Sequence, residues 1–274
     1  MRKVLAAITG DSAAMGVLSS ADAIAELFSA TVEALHVGDE RAVVASAARK
    51  AGVTLRTITG EAVQEIVDAA AAEDVVAVVI GAHGAPVGKR PVGSTVLALV
   101  ASLNKPVAVV PPDAALQHPI QSVLVPLDGT AASAAALREI VELAAGAELQ
   151  VVVAHVHQAR SLPAFSDHLQ HEVHAWSEEF IARNAPAAID ATLELRVGEP
   201  HERVLDICRH SGCDLVALGW SQDLGRGRAA IVRRMLADSP VPVLLTPVSS
   251  DLASVYPAAH AAGVAGGARC PAAR

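Results

Sequence analysis

Between positions 81 and 95 the chain sets three glycines and two hydroxyls in an order suited to holding an anion. Gly81, Gly84 and Gly93 are followed at once by Ser94 and Thr95. Directly before them runs Val75-Val76-Ala77-Val78-Val79-Ile80, short and β-branched, which reads as a buried strand. After them Val96, Val100 and Leu103 open a helical pattern with hydroxyls at its start. Strand, glycine loop and helix N-terminus bring unpaired N–H groups and the positive end of a helix dipole to one place, and phosphate uses both. The glycines let the backbone turn and approach a ligand closely. The spacing is neither a P-loop nor a dinucleotide fingerprint: no Gly-Lys-Ser/Thr follows, and the second and third glycines stand too far apart. The competing reading is a connection whose glycines only serve turns. Lys89 and Arg90 in the same loop either neutralise phosphate or form a solvated tip.

Other constellations are weaker. His168, His171 and His174 recur every third residue on a helical pattern. That spacing drifts around a helix, and no Cys or Glu-x-x-His pair stands nearby, so an exposed face is a simpler reading than a metal site. His36 and His155 end corresponding strands and either line a pocket or satisfy backbone groups. No Gly-x-Ser-x-Gly elbow and no protease-like Cys signature is present, so no nucleophile–base pair is expected. Cys208, Cys213 and Cys270 follow no metal spacing and leave one over. They read as reduced thiols of a cytoplasmic protein, Cys208 and Cys213 as buried structural residues with redox sensing as the alternative.

Composition sets the kind of scaffold that positions these residues. The 274 residues are 52% hydrophobic but only 2% aromatic, so the core must be built from Ala, Val, Leu and Ile. A net charge of −8 argues against nucleic acid as a partner. No stretch approaches the roughly 18–20 continuous apolar residues that insertion into a membrane requires. The apolar run after Met1-Arg2-Lys3 ends at Ile8 and is too short for a signal peptide. The segment 249–274, rich in Ala, Gly and Pro without a period, is expected to be a disordered tail.

The chain repeats itself. Val4 to Gly10 lines up with Val123 to Gly129, and Leu35-His36-Val37 with Ala154-His155-Val156. Gly60-Glu61 pairs with Gly198-Glu199, Val75–Gly81 with Cys213–Gly219, and Lys105–Pro111 with Val241–Pro247. Two homologous domains follow, 1–112 and 119–248. Each alternates strands and amphipathic helices, the pattern of βαβ units on a parallel sheet. Strands are expected at 4–8, 32–37, 54–58, 75–80 and 107–110, then near 123–127, 149–156, 192–197, 214–218 and 243–246. Between His157 and Ile189 the second half carries an extra or extended amphipathic helix over Asp167–Ala185, where the first half has only Glu40 to Lys50. Thr192–Val197 alternates strictly, as an edge strand should. The fifth strands, Val107–Val110 and Val243–Leu245, are apolar throughout. In the order 3-2-1-4-5 they would be bare edges and an aggregation hazard unless they cover each other.

The glycine pattern resembles the signature of the universal stress protein family, Gly-x2-Gly-x9-Gly-Ser/Thr, with eight residues, Ala85 to Val92, where the signature has nine. The chain is identified as a tandem, two-domain member. The resemblance implies two doubly wound five-stranded domains of order 3-2-1-4-5, paired through their fifth strands into an internal pseudo-dimer. Higher homo-oligomers and an unknown regulatory protein partner stay open. It also implies an adenine nucleotide, ATP, held without catalysis at the ends of the first, second and fourth strands, with an acidic residue after the first strand on the ribose. Mapped residue by residue, the first-half site comprises Ala7, Thr9, Val37, Ile80 and Gly81, with Gly84, Gly93, Ser94 and Thr95 around the phosphates. Thr9 stands at the acidic position, and Asp11 is a candidate substitute. The second half does the reverse: it keeps Pro126, Asp128, Gly129-Thr130 and Gly219, but Gln222 stands at the second glycine and Ala229-Ala230 at the Gly-Ser pair. Gly225-Arg226-Gly227-Arg228 either attracts an anion or is a solvated loop. ATP is therefore expected in the first domain only. Two alternatives remain: a degenerate scaffold that binds no nucleotide, and an adenine nucleotide hydrolase.

Overall fold

A computed structural model of the chain describes residues 1–10, 13–39, 42–82, 92–114, 119–157, 169–185, 191–223 and 229–248, with only the backbone given over 169–176. The first half runs β1 (Lys3–Ala7), α1 (Ala14–Leu27), β2 (Thr31–Val37), α2 (Ala42–Ala51), β3 (Thr54–Ile58), α3 (Ala62–Ala70), β4 (Val75–Gly81), α4 (Ser94–Ser102) and β5 (Val107–Val110). The second half repeats it with β6 (Ser122–Pro126), α5 (Ala131–Gly146), β7 (Gln150–His157), α6 (Leu169–Asn184), β8 (Thr192–Val197), α7 (Pro200–Ser211), β9 (Leu215–Trp220), α8 (Ala230–Asp238) and β10 (Val243–Pro247). Every expected strand is present, with ends shifted by a residue or two.

All ten strands form one sheet in the order β3-β2-β1-β4-β5-β10-β9-β6-β7-β8. Each half has the order 3-2-1-4-5, and the halves meet through their fifth strands. Within each half the pairings are parallel. At the seam β5 and β10 are antiparallel, with Val243 opposite Val109, Leu244 opposite Ala108 and Leu245 opposite Val107. All four residues of β5 are buried, so the seam covers the apolar edge the sequence left bare. The outer edges are β3 and β8, neither of which buries a single residue completely.

Because side chains alternate across a strand, the sheet feeds two cores. Val4, Ala6, Ala108, Val123, Val125 and Leu244 pack under α1, α2 and α5. Leu5, Val107, Val109, Leu124, Val243 and Leu245 pack under α3, α4, α7 and α8. Each core crosses the seam, so the halves share both. The helix caps follow local chemistry: the Glu61 carboxylate accepts the N–H groups of Val63 and Gln64 at 3.2 and 2.9 Å to start α3. Over Glu40 to Lys50, where no helix was read from the sequence, the first half has α2, which buries Val44, Ala47 and Ala48. Among the described residues the second-half insertion holds α6, a longer counterpart of α2. Among the described residues no helix is long and apolar enough to cross a membrane. The tail beyond Val248, and its expected disorder, lie outside the described residues.

Candidate functional site

The antiparallel seam sends the carboxyl ends of the parallel strands to opposite edges of the sheet, one edge for each half. In each half the first strand separates the second from the fourth, and connections leave that point in opposite directions. Such a switch point opens a crevice beyond the carboxyl ends of the strands.

In the first half this point gathers Ala7 at the end of β1, Thr9 just beyond it, Val37 at the end of β2, and Ile80 with Gly81 at the end of β4. Gly81 is itself a strand residue, paired with Val110. The chain returns at Gly93, whose N–H reaches the Ala82 carbonyl at 3.4 Å, and α4 begins at Ser94 with Thr95 next. Among the described residues no side chain caps α4, and Ser94 and Thr95 are exposed. The first-turn N–H groups and two hydroxyls thus face outward beside the end of β4, as anion binding needs. Gly93 has φ −58° and ψ 143°, and among the described residues a Cβ built there meets nothing nearer than 3.9 Å. Among the described residues neither backbone strain nor crowding demands a glycine at Gly93. Gly84, Lys89, Arg90 and Asp11 lie outside the described residues.

The second half has a defined cavity. About 450 Å³ of space is lined by Asp128 and Gly129 beyond β6, His155 on β7, and Glu179, Phe180, Arg183 and Asn184 on α6. Gly129 lies in the left-handed region at φ +83°, which lets the chain pass beneath Phe180 and His155 at the cavity floor. One Asp128 carboxylate oxygen accepts from the Thr130 N–H at 2.9 Å and from the Thr130 and Ser133 hydroxyls, so this acid also organises the start of α5. The His155 Nδ1–H donates to the Leu127 carbonyl at 2.8 Å, and the ring packs against Phe180 and His157. Both readings of His155 hold at once: a backbone carbonyl fixes its ring, and that ring lines the cavity. Burial, and then the neighbouring His155, hold the His157 imidazole below its usual range. Glu179 and Arg183, one turn apart on α6, form an exposed ion pair beside the cavity.

His36 repeats the backbone contact in the first half, with Nδ1 at 3.0 Å from the Ile8 carbonyl. The glycine-motif positions of the second half have structural occupations. Gly219 lies against α5, where a Cβ would stand 3.4 Å from that of Ala136 and 3.5 Å from the Ser133 carbonyl, both ordinary contact distances. Gln222, expected to obstruct phosphate, turns away across the seam, and its amide donates to the Leu103 carbonyl at 2.7 Å. Ala229 precedes α8 at φ +55°, a left-handed conformation that Gly93 does not share. Residues 224–228 and His168 lie outside the described residues, as do the side chains of His171 and His174. Among the described residues no three His, Cys, Asp or Glu side chains converge as a metal site. Sequence reasoning missed the cavity wall of Glu179, Arg183 and Asn184, whose only signal was the longer helix.

This fold, with its paired switch points, defines a doubly wound α/β protein in two related halves. The model of the universal stress protein family matches residues 39–111 and 119–247, and the chain belongs to that family. A universal stress protein from Archaeoglobus fulgidus DSM 4304 has the same fold, with 16% identity and a TM-score of 0.64 over 90% of this chain and 98% of that one. A putative universal stress protein from Pseudomonas aeruginosa UCBPP-PA14 aligns at 15% identity and a TM-score of 0.66, covering 93% of this chain and 96% of that one. A functionally unknown protein from Pseudomonas aeruginosa PAO1 gives 15% and 0.66, over 93% and 95%. No curated protein matches the chain. The family match begins at residue 39, so Ala7, Thr9 and Val37 fall outside it, whereas Ile80, Gly81, Gly84, Gly93, Ser94 and Thr95 fall within it.

Proposed function

We propose that the chain is a cytoplasmic stress-response module that binds an adenine nucleotide, ATP, in its first half and performs no catalysis of its own. The observation carrying this reading is the uncapped start of α4, where Gly93, Ser94 and Thr95 stand beside the end of β4 at a switch point. The room for a side chain at Gly93 supports it, because the free fold gives no reason to exclude one. Ala7, Thr9, Val37 and Ile80 would then hold the nucleoside, with Thr9 replacing a carboxylate by a weaker hydroxyl contact. Gly81 and Gly84 would complete the phosphate loop.

The cavity beneath α6 favours a second reading, in which the second half binds instead. Asp128 would take the ribose hydroxyls and Phe180 with His155 would face the base. Nucleotide that co-purifies with the full-length protein, identified and counted by mass spectrometry, tests both readings. One adenine nucleotide per chain supports binding; none would favour a scaffold that acts through protein partners. ADP accumulating with added ATP would promote the hydrolase alternative.

A further inference from the structure

Cys208 and Cys213 lie together in the second half, away from the cavity. Cys208 is in the last turn of α7, and Gly212, at φ +66°, ends the helix in the left-handed conformation. A helix ended this way folds the residue after the glycine back onto its last turn, where an apolar contact normally forms. Here two thiols take that place: the sulfurs are 3.7 Å apart and the residues only 2% and 3% exposed. The Cys213 sulfur also approaches the Cys208 carbonyl at 3.8 Å, and the Cys208 sulfur is 4.0 Å from the Ser239 hydroxyl.

We propose that Cys208 and Cys213 form a dithiol site that a small hydroperoxide oxidises to an intrachain disulfide, giving the second half a reversible covalent state. Contact with Cys208 holds Cys213 below the ordinary thiol range, whereas the same contact and burial push Cys208 up. Cys213 is therefore the first nucleophile. Its thiolate attacks one peroxide oxygen and the O–O bond breaks. A sulfenic acid forms, and the other oxygen leaves as water, or as an alcohol from an organic hydroperoxide. The Cys208 sulfur then attacks the Cys213 sulfur, the S–O bond breaks and a second water carries off the proton. Two thiols lose two electrons and two protons, and the peroxide gains both. The disulfide would close too short a loop to restrain much of the unfolded chain, so its use is chemical more than structural. It would tie the end of α7 to the entry of β9, next to Ser239, whose hydroxyl donates to the Val241 carbonyl ahead of β10.

Trypsin cleaves after Arg209 and so separates the two cysteines. Full-length Cys270→Ser protein, treated with equimolar hydrogen peroxide and digested without reductant, should yield Val204–Arg209 joined to His210–Arg226 with two hydrogens lost. Dithiothreitol should restore the separate peptides. In Cys208→Ser, or in Cys208→Ala if the serine variant fails to fold, Cys213 should stop at a sulfenic acid that dimedone traps. Over-oxidation of either cysteine without the cross-link would overturn the proposal, as would a cross-link that forms only in denaturing urea.

Discussion

The two halves share a topology but differ around their switch points. The first half has an uncapped α4 behind Gly93 and places Thr9 where an acid would stand. The second half has Asp128 and a walled cavity, but α8 begins at Ala229 and Gln222 is committed to the seam. The wall itself differs, with α2 spanning 10 residues and α6 spanning 16. The halves thus differ around their switch points but share both cores at the seam.

The largest effect should come from breaking what the halves share. Leu244 is fully buried opposite Ala108, and Leu244→Asp would place an unpaired charge in a core common to both. A loss of more than about 4 kcal/mol is expected, enough to unfold both halves together in one denaturation transition. Two separate transitions, with the first half unaffected, would break the picture of a shared core.

Gln222 provides a milder test of the seam. Gln222→Ala removes the hydrogen bond to Leu103 but keeps the left-handed backbone at φ +59°, and should cost about 1 kcal/mol. In a chain of this size that lowers Tm by roughly 2–4 °C. Ala229→Gly should move the other way, gaining up to about 1 kcal/mol by relieving an alanine at positive φ. A loss of stability in that variant would show that the Ala229 methyl packs too well to remove.

The smallest effect is a pH dependence confined to the second half. His157 has its pKa lowered in the folded protein, so below about pH 6.5 the unfolded chain binds more protons at this position. Stability should be full above that pH and fall as the pH drops toward the lowered folded value. Comparing Tm at pH 7.5 and 5.5 for the parent and His157→Gln checks it: the variant should lose less on acidification.

Strand positions were legible from local pattern and the closing of β5 against β10 from the cost of a bare apolar edge, whereas the strand order came with the family resemblance. Strict alternation marked Thr192–Val197 as an edge, and an edge it is. What was not legible depended on where side chains go after a turn. Nothing in the chain says that Gln222 reaches across 119 residues to Leu103, or that Gly219 lies against α5. The contact between Cys208 and Cys213 also escaped notice, because a spacing of five residues meets only when a left-handed residue such as Gly212 ends the helix. Helix α2 went unread because its buried face is only Val44, Ala47 and Ala48.

The division of the site between the halves is tested most directly by calorimetric titration of ATP into three full-length proteins: the parent, Gly93→Val and Asp128→Ala. Gly93 is suited to this because the free fold has room for a Cβ there, so lost binding reports on the ligand and not on folding. Asp128→Ala is expected to cost about 1 kcal/mol of stability through the start of α5, which Tm measures separately. The account predicts one ATP per chain in the parent and in Asp128→Ala, and none in Gly93→Val. Binding kept by Gly93→Val and lost by Asp128→Ala would place the nucleotide under α6 and contradict it.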